Sequence, residues 1–262
     1  MNISRILMFA ALVGAIPTFA NSNIRETNSN SERNALQGFS IGFDVVCNHT
    51  SVNHNFIDSG QVVIISNQEI LQHSPASELY KPKHNRFSLD PSFNVGYSHI
   101  FKNNVYAGLF ADVSFGRSNK HYVDMKAAEG YSKIKGTSFG LKLKTGYYFQ
   151  NINYVVYGIF GLKQRGAEFS FNKKNADPRF IPDYQTKAKT NTPLFVVGLG
   201  MERPINKKLT WSAEYEYAWK NSTKEARDYH KFSNNTAKHF TYIRMKQKVR
   251  VHSFKLGFKY HI

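Results

Sequence analysis

From His252 to Ile262 the chain alternates without a break. Phe254, Leu256, Phe258, Tyr260 and Ile262 make one set; Ser253, Lys255, Gly257, Lys259 and His261 make the other. Successive side chains of a strand point to opposite faces, so this is one strand with an apolar surface and a polar one. The ends of a soluble domain usually fray. An apolar face carried to the last residue therefore asks for a permanent apolar covering, with a wet or charged environment on the other side.

Seven more segments read the same way. They run over Gly38 to about His49, Phe87–Ile100, Val105–Gly116, Thr137–Phe149, Tyr154 to about Gln164, Leu194–Arg203 and Leu209–Trp219, and the eighth covers about Val249–Ile262. The clearest sets Leu209, Trp211, Ala213, Tyr215, Tyr217 and Trp219 against Thr210, Ser212, Glu214, Glu216 and Ala218. The fifth has no clear phase, because Tyr154-Val155-Val156-Tyr157 is apolar on both sides. Tight turns follow segments two, four and six. Long connections, Thr50–Arg86, Arg117–Gly136, Arg165–Pro193 and Lys220–Lys248, follow one, three, five and seven.

Strict alternation of short and long connections fits an all-β, eight-stranded antiparallel up-and-down transmembrane barrel, with turns on the inner side of an outer membrane and loops outside. A soluble barrel of this size would put its apolar face inside. Against that, the opposite face carries Asp44, Asp90, Asp112, Lys142, Lys144, Glu202, Glu214, Glu216, Lys255 and Lys259. Such charges cannot line a dry cavity, but they can pair with one another in a narrow polar lumen. Tyr97, Phe101, Tyr106, Tyr147, Phe149, Tyr154 and Tyr260 are expected at the inner rim, and Phe115 and Trp219 at the outer one.

The first residues agree with export. Arg5 precedes an apolar run from Ile6 to Ile16, and Thr18-Phe19-Ala20 ends in small residues, so residues 1–20 read as a signal peptide cut after Ala20. Residues 21–37, rich in Asn and Ser, read as a flexible periplasmic lead-in, and 38–262 as the barrel. No other stretch approaches a spanning helix, so a membrane would have to be crossed by strands. Cys47 is the single cysteine, which excludes an internal disulfide, and it stands in phase with the apolar wall. Formal charge is +17. With an export signal, the anions to look for are outside the cell, and nucleic acid is not expected.

These segments resemble the opacity, adhesin and porin-like superfamily of small Gram-negative outer-membrane barrels, over about Gly38–Ile262. Val197-Gly198-Leu199-Gly200-Met201-Glu202-Arg203, followed through Leu209 by Ala213-Glu214-Tyr215-Glu216-Tyr217, is similar to that group's Gly-x-Gly-x-Glu strand, short turn and Glu-Tyr-x-Tyr strand. Lys255, Gly257, Tyr260 and Ile262 resemble the terminal signal read by the barrel-assembly machinery, with Ile262 in place of the usual Phe, so less efficient reading is expected. The resemblance implies a surface-exposed protein: an adhesin, an evasion antigen, a structural barrel or a very narrow pore.

Chemistry is harder to find. Gly198-x-Gly200 lacks a third glycine at Arg203, so no dinucleotide site is expected, and no cofactor or metal site emerges from the scattered histidines. Some barrels of this size modify lipid A, and their deacylases resemble one another in a His-x-Ser pair on one strand face. His49-Thr50-Ser51 has that spacing but lies at the end of the first strand. The expectation is a protein that is not an enzyme.

The loops hold the remaining signal. Lys120, Lys126, Lys173, Lys174, Lys187, Lys189, Lys238, Arg244, Lys246 and Lys248 lie among Tyr122, Tyr131, Phe180, Tyr184, Tyr229, Phe232, Phe240 and Tyr242. Clustered cations bind polyanions through many weak, salt-sensitive contacts. Lipopolysaccharide, outer-membrane lipid and host glycans or matrix polyanions are the expected partners. A narrow porin for small solutes is the alternative, and a lipid A modifying enzyme stands behind it.

Overall fold

The computed structural model describes residues 33, 35–65, 68–72, 77–80, 83–125, 128–173, 184–190, 193–231 and 237–262, with the outer ends of the long strands described by their backbone pairing. Among the described residues twelve strands form: β1 (Gly38–Ile65), β2 (Gln68–Gln72), β3 (Ser77–Tyr80), β4 (Lys83–Ile100), β5 (Val105–Ser114), β6 (Asn119–Met125), β7 (Ala128–Phe149), β8 (Tyr154–Lys173), β9 (Tyr184–Thr190), β10 (Pro193–Pro204), β11 (Leu209–Lys231) and β12 (Ala237–His261). Eight make the wall. The ladder runs β1–β4–β5–β7–β8–β10–β11–β12, and β12 pairs back onto β1 from Ser40↔His261 upward. Every neighbour is antiparallel, so the sheet is a closed up-and-down barrel with no free edge at membrane level.

The burial pattern sets which side faces what. Phe39, Ile41, Phe43 and Val45 of β1, Phe93, Val95 and Tyr97 of β4, and Leu256, Phe258 and Tyr260 of β12 are all exposed on the outside. Their neighbours Ser40, Asp44, Ser92, Asn94, Lys255 and Lys259 are buried inside. A soluble barrel has the reverse arrangement, and only an apolar solvent around the wall makes this one favourable.

Three turns close the inner end. Asn104 (φ 64) and Asn153 (φ 58) take left-handed backbone in the first two, a conformation asparagine tolerates better than most residues. In the third, the Asn206 side-chain oxygen accepts hydrogen bonds from the amides of Lys208 and Leu209, at 2.9 and 2.8 Å.

The connections read as long loops are largely strand. β1 and β12 stay in register as far as Ile65↔Ala237, and β11 and β12 as far as Lys231↔Lys238. Val62–Ile65 is paired on both sides, with β2 and with β12. Beyond the apolar band the sequence loses its alternation while the backbone ladder continues.

Residues 1–32 lie outside the described residues, and with them the signal peptide and most of the lead-in. The last residues of the lead-in are not free. Ala35 and Leu36 are buried in the inner mouth, and the Arg33 guanidinium donates to the carbonyls of Ile100 (3.1 Å) and Phe101 (2.8 Å). Ser98 Oγ donates to the Leu36 carbonyl at 2.9 Å.

Candidate functional site

The lumen is packed in layers. At the inner mouth Leu36, Ile100, Tyr106, Tyr148, Val155, Tyr157 and Ile159 form an apolar plug, with the Tyr106 and Tyr157 rings stacked 5.5 Å apart. Above it, Lys259 donates to Glu202, which also accepts from Thr210 Oγ1 at 3.0 Å and faces His261 Nε2 at 3.6 Å. Lys144 donates to Glu214, whose Oε1 also accepts from the Tyr157 hydroxyl at 2.9 Å. The ammonium of Lys144 lies 4.2 Å from the Phe110 ring centroid, where the ring's electron-rich face adds attraction.

A four-membered cluster fills the next level. Lys142 Nζ is 2.7 Å from Asp112 and 2.5 Å from Glu216; Lys255 Nζ is 2.9 Å from Glu216 and 3.5 Å from Asp112. Asn94 Nδ2 donates to Asp44 at 2.8 Å. Further out, Asp90 accepts from Asn48 Nδ2 (2.8 Å) and Ser88 Oγ (3.0 Å). Arg165 donates to Thr50 Oγ1 at 3.4 Å and to the Lys135 carbonyl at 3.2 Å. Leu194, Val196, Ala218 and Val251 add a second apolar patch near the outer end.

Charge balance explains why this interior is tolerable. Among the described residues, the buried acids are Asp44, Asp90, Asp112, Glu202, Glu214 and Glu216, and the buried bases are Lys142, Lys144, Lys163, Arg165, Lys255 and Lys259, six of each. An ion taken from water costs several kcal/mol unless a partner and hydrogen bonds replace its hydration. Interlocked clusters of opposite charge provide that replacement.

The outside has its own geometry. Along β12 the apolar run from Phe254 to Ile262 is followed outward by His252, Arg250 and Lys248. His252 Nδ1 lies 2.7 Å from the Tyr215 hydroxyl, and its ring is 4.9 Å from Tyr217 and 6.2 Å from His49. Tyr217 and Trp219 stack at 5.5 Å with 17° between their planes. This end of the wall is therefore aromatic and cationic, while its middle is aliphatic and aromatic.

The protein has the fold of the small outer-membrane barrels. The chain is similar to Ail, the attachment invasion locus protein of Yersinia pestis (13% identity, 81% of this chain and 97% of that one, TM-score 0.34). It is also similar to the outer membrane protease OmpT of Escherichia coli (11%, 85% and 97%, 0.42) and to the outer membrane protein OprG of Pseudomonas aeruginosa (12%, 86% and 97%, 0.36). No protein-family model and no curated protein matches the sequence. An attachment invasion locus protein, an outer membrane protease and another outer membrane protein share this likeness, so it carries no activity across to this chain.

All ten charges read from the sequence for the lumen point inward and are buried. Lys163 and Arg165 belong with them and were missed, because the apolar stretch at the start of β8 hid its phase. Arg165, counted with the loops by sequence, is thus an interior residue. Tyr106 is corrected too: it is fully buried in the inner plug, not exposed at the rim. Tyr97, Phe101, Tyr147, Phe149 and Tyr260 are exposed, as is Phe115 toward the outer end.

His49 and Ser51 both sit on the outward face of β1. The Nδ1 of His49 has no hydrogen-bond partner, and the nearby Asp90 carboxylate faces the lumen, held by Asn48 and Ser88. Ser51 is thus not hydrogen-bonded to the Nδ1 of His49. Among the described residues, no three His, Cys, Asp or Glu converge to hold a metal ion.

Of the loop cations, Lys120, Lys173, Lys187, Lys189, Lys238, Arg244, Lys246 and Lys248 stand on strands, with Arg244 in register with Glu225 and Lys238 with Lys231. Lys126 and Lys174 lie outside the described residues. At the C-terminus, Lys255 and Gly257 face the lumen and Tyr260 the outside, and the Ile262 amide donates to the Phe39 carbonyl at 2.9 Å. Gly257 has a packing reason as well: a Cβ there would collide with the Asp44 carboxylate and the Phe43 carbonyl.

Proposed function

We propose that this protein is a non-enzymatic outer-membrane surface protein whose basic, strand-borne loops engage lipopolysaccharide and, beyond it, polyanions on host surfaces. Export by the signal peptide and recognition of Lys255, Gly257, Tyr260 and Ile262 by the assembly machinery belong to the same reading. The observation that carries it is the packed lumen. An apolar plug at the inner mouth, interlocked ion clusters above it and an apolar patch near the outer end fill the described lumen with the protein's own side chains, which supports a role at the outer surface. That surface is where the sequence concentrates its excess of lysine and arginine.

Replacing Lys238, Arg244, Lys246 and Lys248 together by glutamine tests it. The variant elutes from immobilised heparin, and from immobilised lipopolysaccharide, at lower salt than the parent, with a shallower dependence of retention on salt. Retention equal to the parent's at low salt overturns the reading. A narrow porin is the rival, and steady conductance of the purified protein in planar bilayers would establish it instead.

A further inference from the structure

One patch of the wall has a composition that neither an apolar solvent nor open water explains. From Phe254 to Ile262 the outward face of β12 is apolar over about 26 Å of strand, which at a tilt of about 40° is about 20 Å of depth. The next outward residues, His252, Arg250 and Lys248, therefore stand at the boundary between the acyl chains and the headgroups of the outer leaflet. The register places them beside two neighbours. His252 is flanked by His49 and Tyr217, and Arg250 by Ser51 and Trp219.

Arg250 and Lys248 are both exposed and lie two residues apart on one face, about 7 Å from each other. Adjacent like charges repel, and burying them among lipid heads is costly unless an anion sits between them. No aspartate or glutamate occupies the outward positions of these three strands over 47–53, 215–219 and 248–254. Asp44, Asp90, Glu214 and Glu216, on the same strands or the next one, point to the opposite face, into the lumen. The stacked Tyr217 and Trp219 rings add a flat amphipathic surface at the same height.

We propose that this patch is a binding site for the phosphorylated sugar headgroup of an outer-leaflet glycolipid. Arg250 and Lys248 clamp the phosphate, His252 and His49 donate to it from the membrane side, and the Tyr217–Trp219 pair packs against the sugar. Guanidinium and phosphate match as a charge-assisted, two-pronged pair. The proposal rests on the outer-membrane reading above but not on the loop cations, with Lys248 alone common to both.

The chain has two tryptophans, so Trp211→Phe leaves Trp219 as a single reporter inside the site. This protein, held in phosphatidylcholine nanodiscs, is titrated with diphosphorylated lipid A while Trp219 emission is followed. A saturable spectral change is expected. Arg250→Gln weakens it about tenfold or more, and His252→Gln weakens it to a smaller degree. Arg117→Gln, which removes the same charge from an exposed position beyond β5, three strands away, leaves it unchanged. So does Lys102→Gln, which removes a charge from the exposed turn after β4 at the opposite end of the barrel.

An equal response to dephosphorylated lipid A overturns the proposal, as does equal binding of phosphatidylglycerol or of inorganic phosphate. Loss of the same size in Arg117→Gln and Arg250→Gln overturns it too, since that reports general attraction to a basic protein.

Discussion

The pair formed by Lys259 and Glu202 offers the sharpest test of the lumen. Both side chains are almost wholly buried, at 1% and 2% exposure, and Glu202 also accepts from Thr210 and faces His261. Glu202→Leu strands the Lys259 ammonium beside the Phe110 ring without its ion-pair partner. Lys259→Met strands the carboxylate. Each single change should cost about 3–5 kcal/mol, the usual penalty for orphaning one member of a buried pair. The double variant removes both charges, and an apolar pair of similar volume is often neutral or better. The cycle should therefore give a coupling energy of several kcal/mol. Equilibrium unfolding by urea in phospholipid vesicles, followed by circular dichroism, measures all four corners. If each single variant loses about 1 kcal/mol or less and the losses add in the double, the pair behaves like an exposed one. The lumen would then be hydrated, and the argument for a sealed interior would fail.

Two further substitutions probe the wall and its packing. Leu199, among the most exposed apolar residues of β10, should lose about 2–4 kcal/mol as Leu199→Arg in a bilayer, because a cation then faces acyl chains; a change within about 0.5 kcal/mol in the same unfolding assay would mean water surrounds that face. Gly200→Ala would drive a methyl into the Tyr157 ring, whose hydroxyl holds Glu214, and should cost about 1–3 kcal/mol; full retention of stability would show that the ring yields freely.

Where lipid lies on one side of a strand and ions on the other, the order of residues reveals the fold. Leu209 to Trp219 and Phe254 to Ile262 are such cases, since polar and apolar residues there take turns. The reading weakens where one of the two environments changes. In β8 the inward Val155, Tyr157 and Ile159 serve an apolar plug, so both faces look alike, and Lys163 and Arg165 lost their place with them. Tyr106 was assigned by its type and its nearness to a turn; its parity along β5, opposite to Val105 and Ala107, points inward. Beyond the membrane no alternation is needed, so the ladders that lengthen β1, β7, β8, β11 and β12 left no periodic trace. The patch of His252, Arg250 and Lys248 was hidden for a different reason. Its partners His49, Tyr217 and Trp219 are distant in sequence and meet only through the pairing of three strands.

The hairpin of β11 and β12 is far longer than a crossing requires. β11 spans 23 residues, and about 9–11 suffice for a tilted strand in a bilayer. The remainder, roughly a dozen residues at about 3.3 Å each, is up to about 40 Å of hydrogen-bonded ribbon beyond the hydrocarbon. A ribbon already ordered by folding surrenders little entropy when something docks on it, whereas a slack tether would have to be frozen first. Such stilts would hold the chemistry of their tips at a fixed standoff, within reach of macromolecules too bulky to come down to the bilayer.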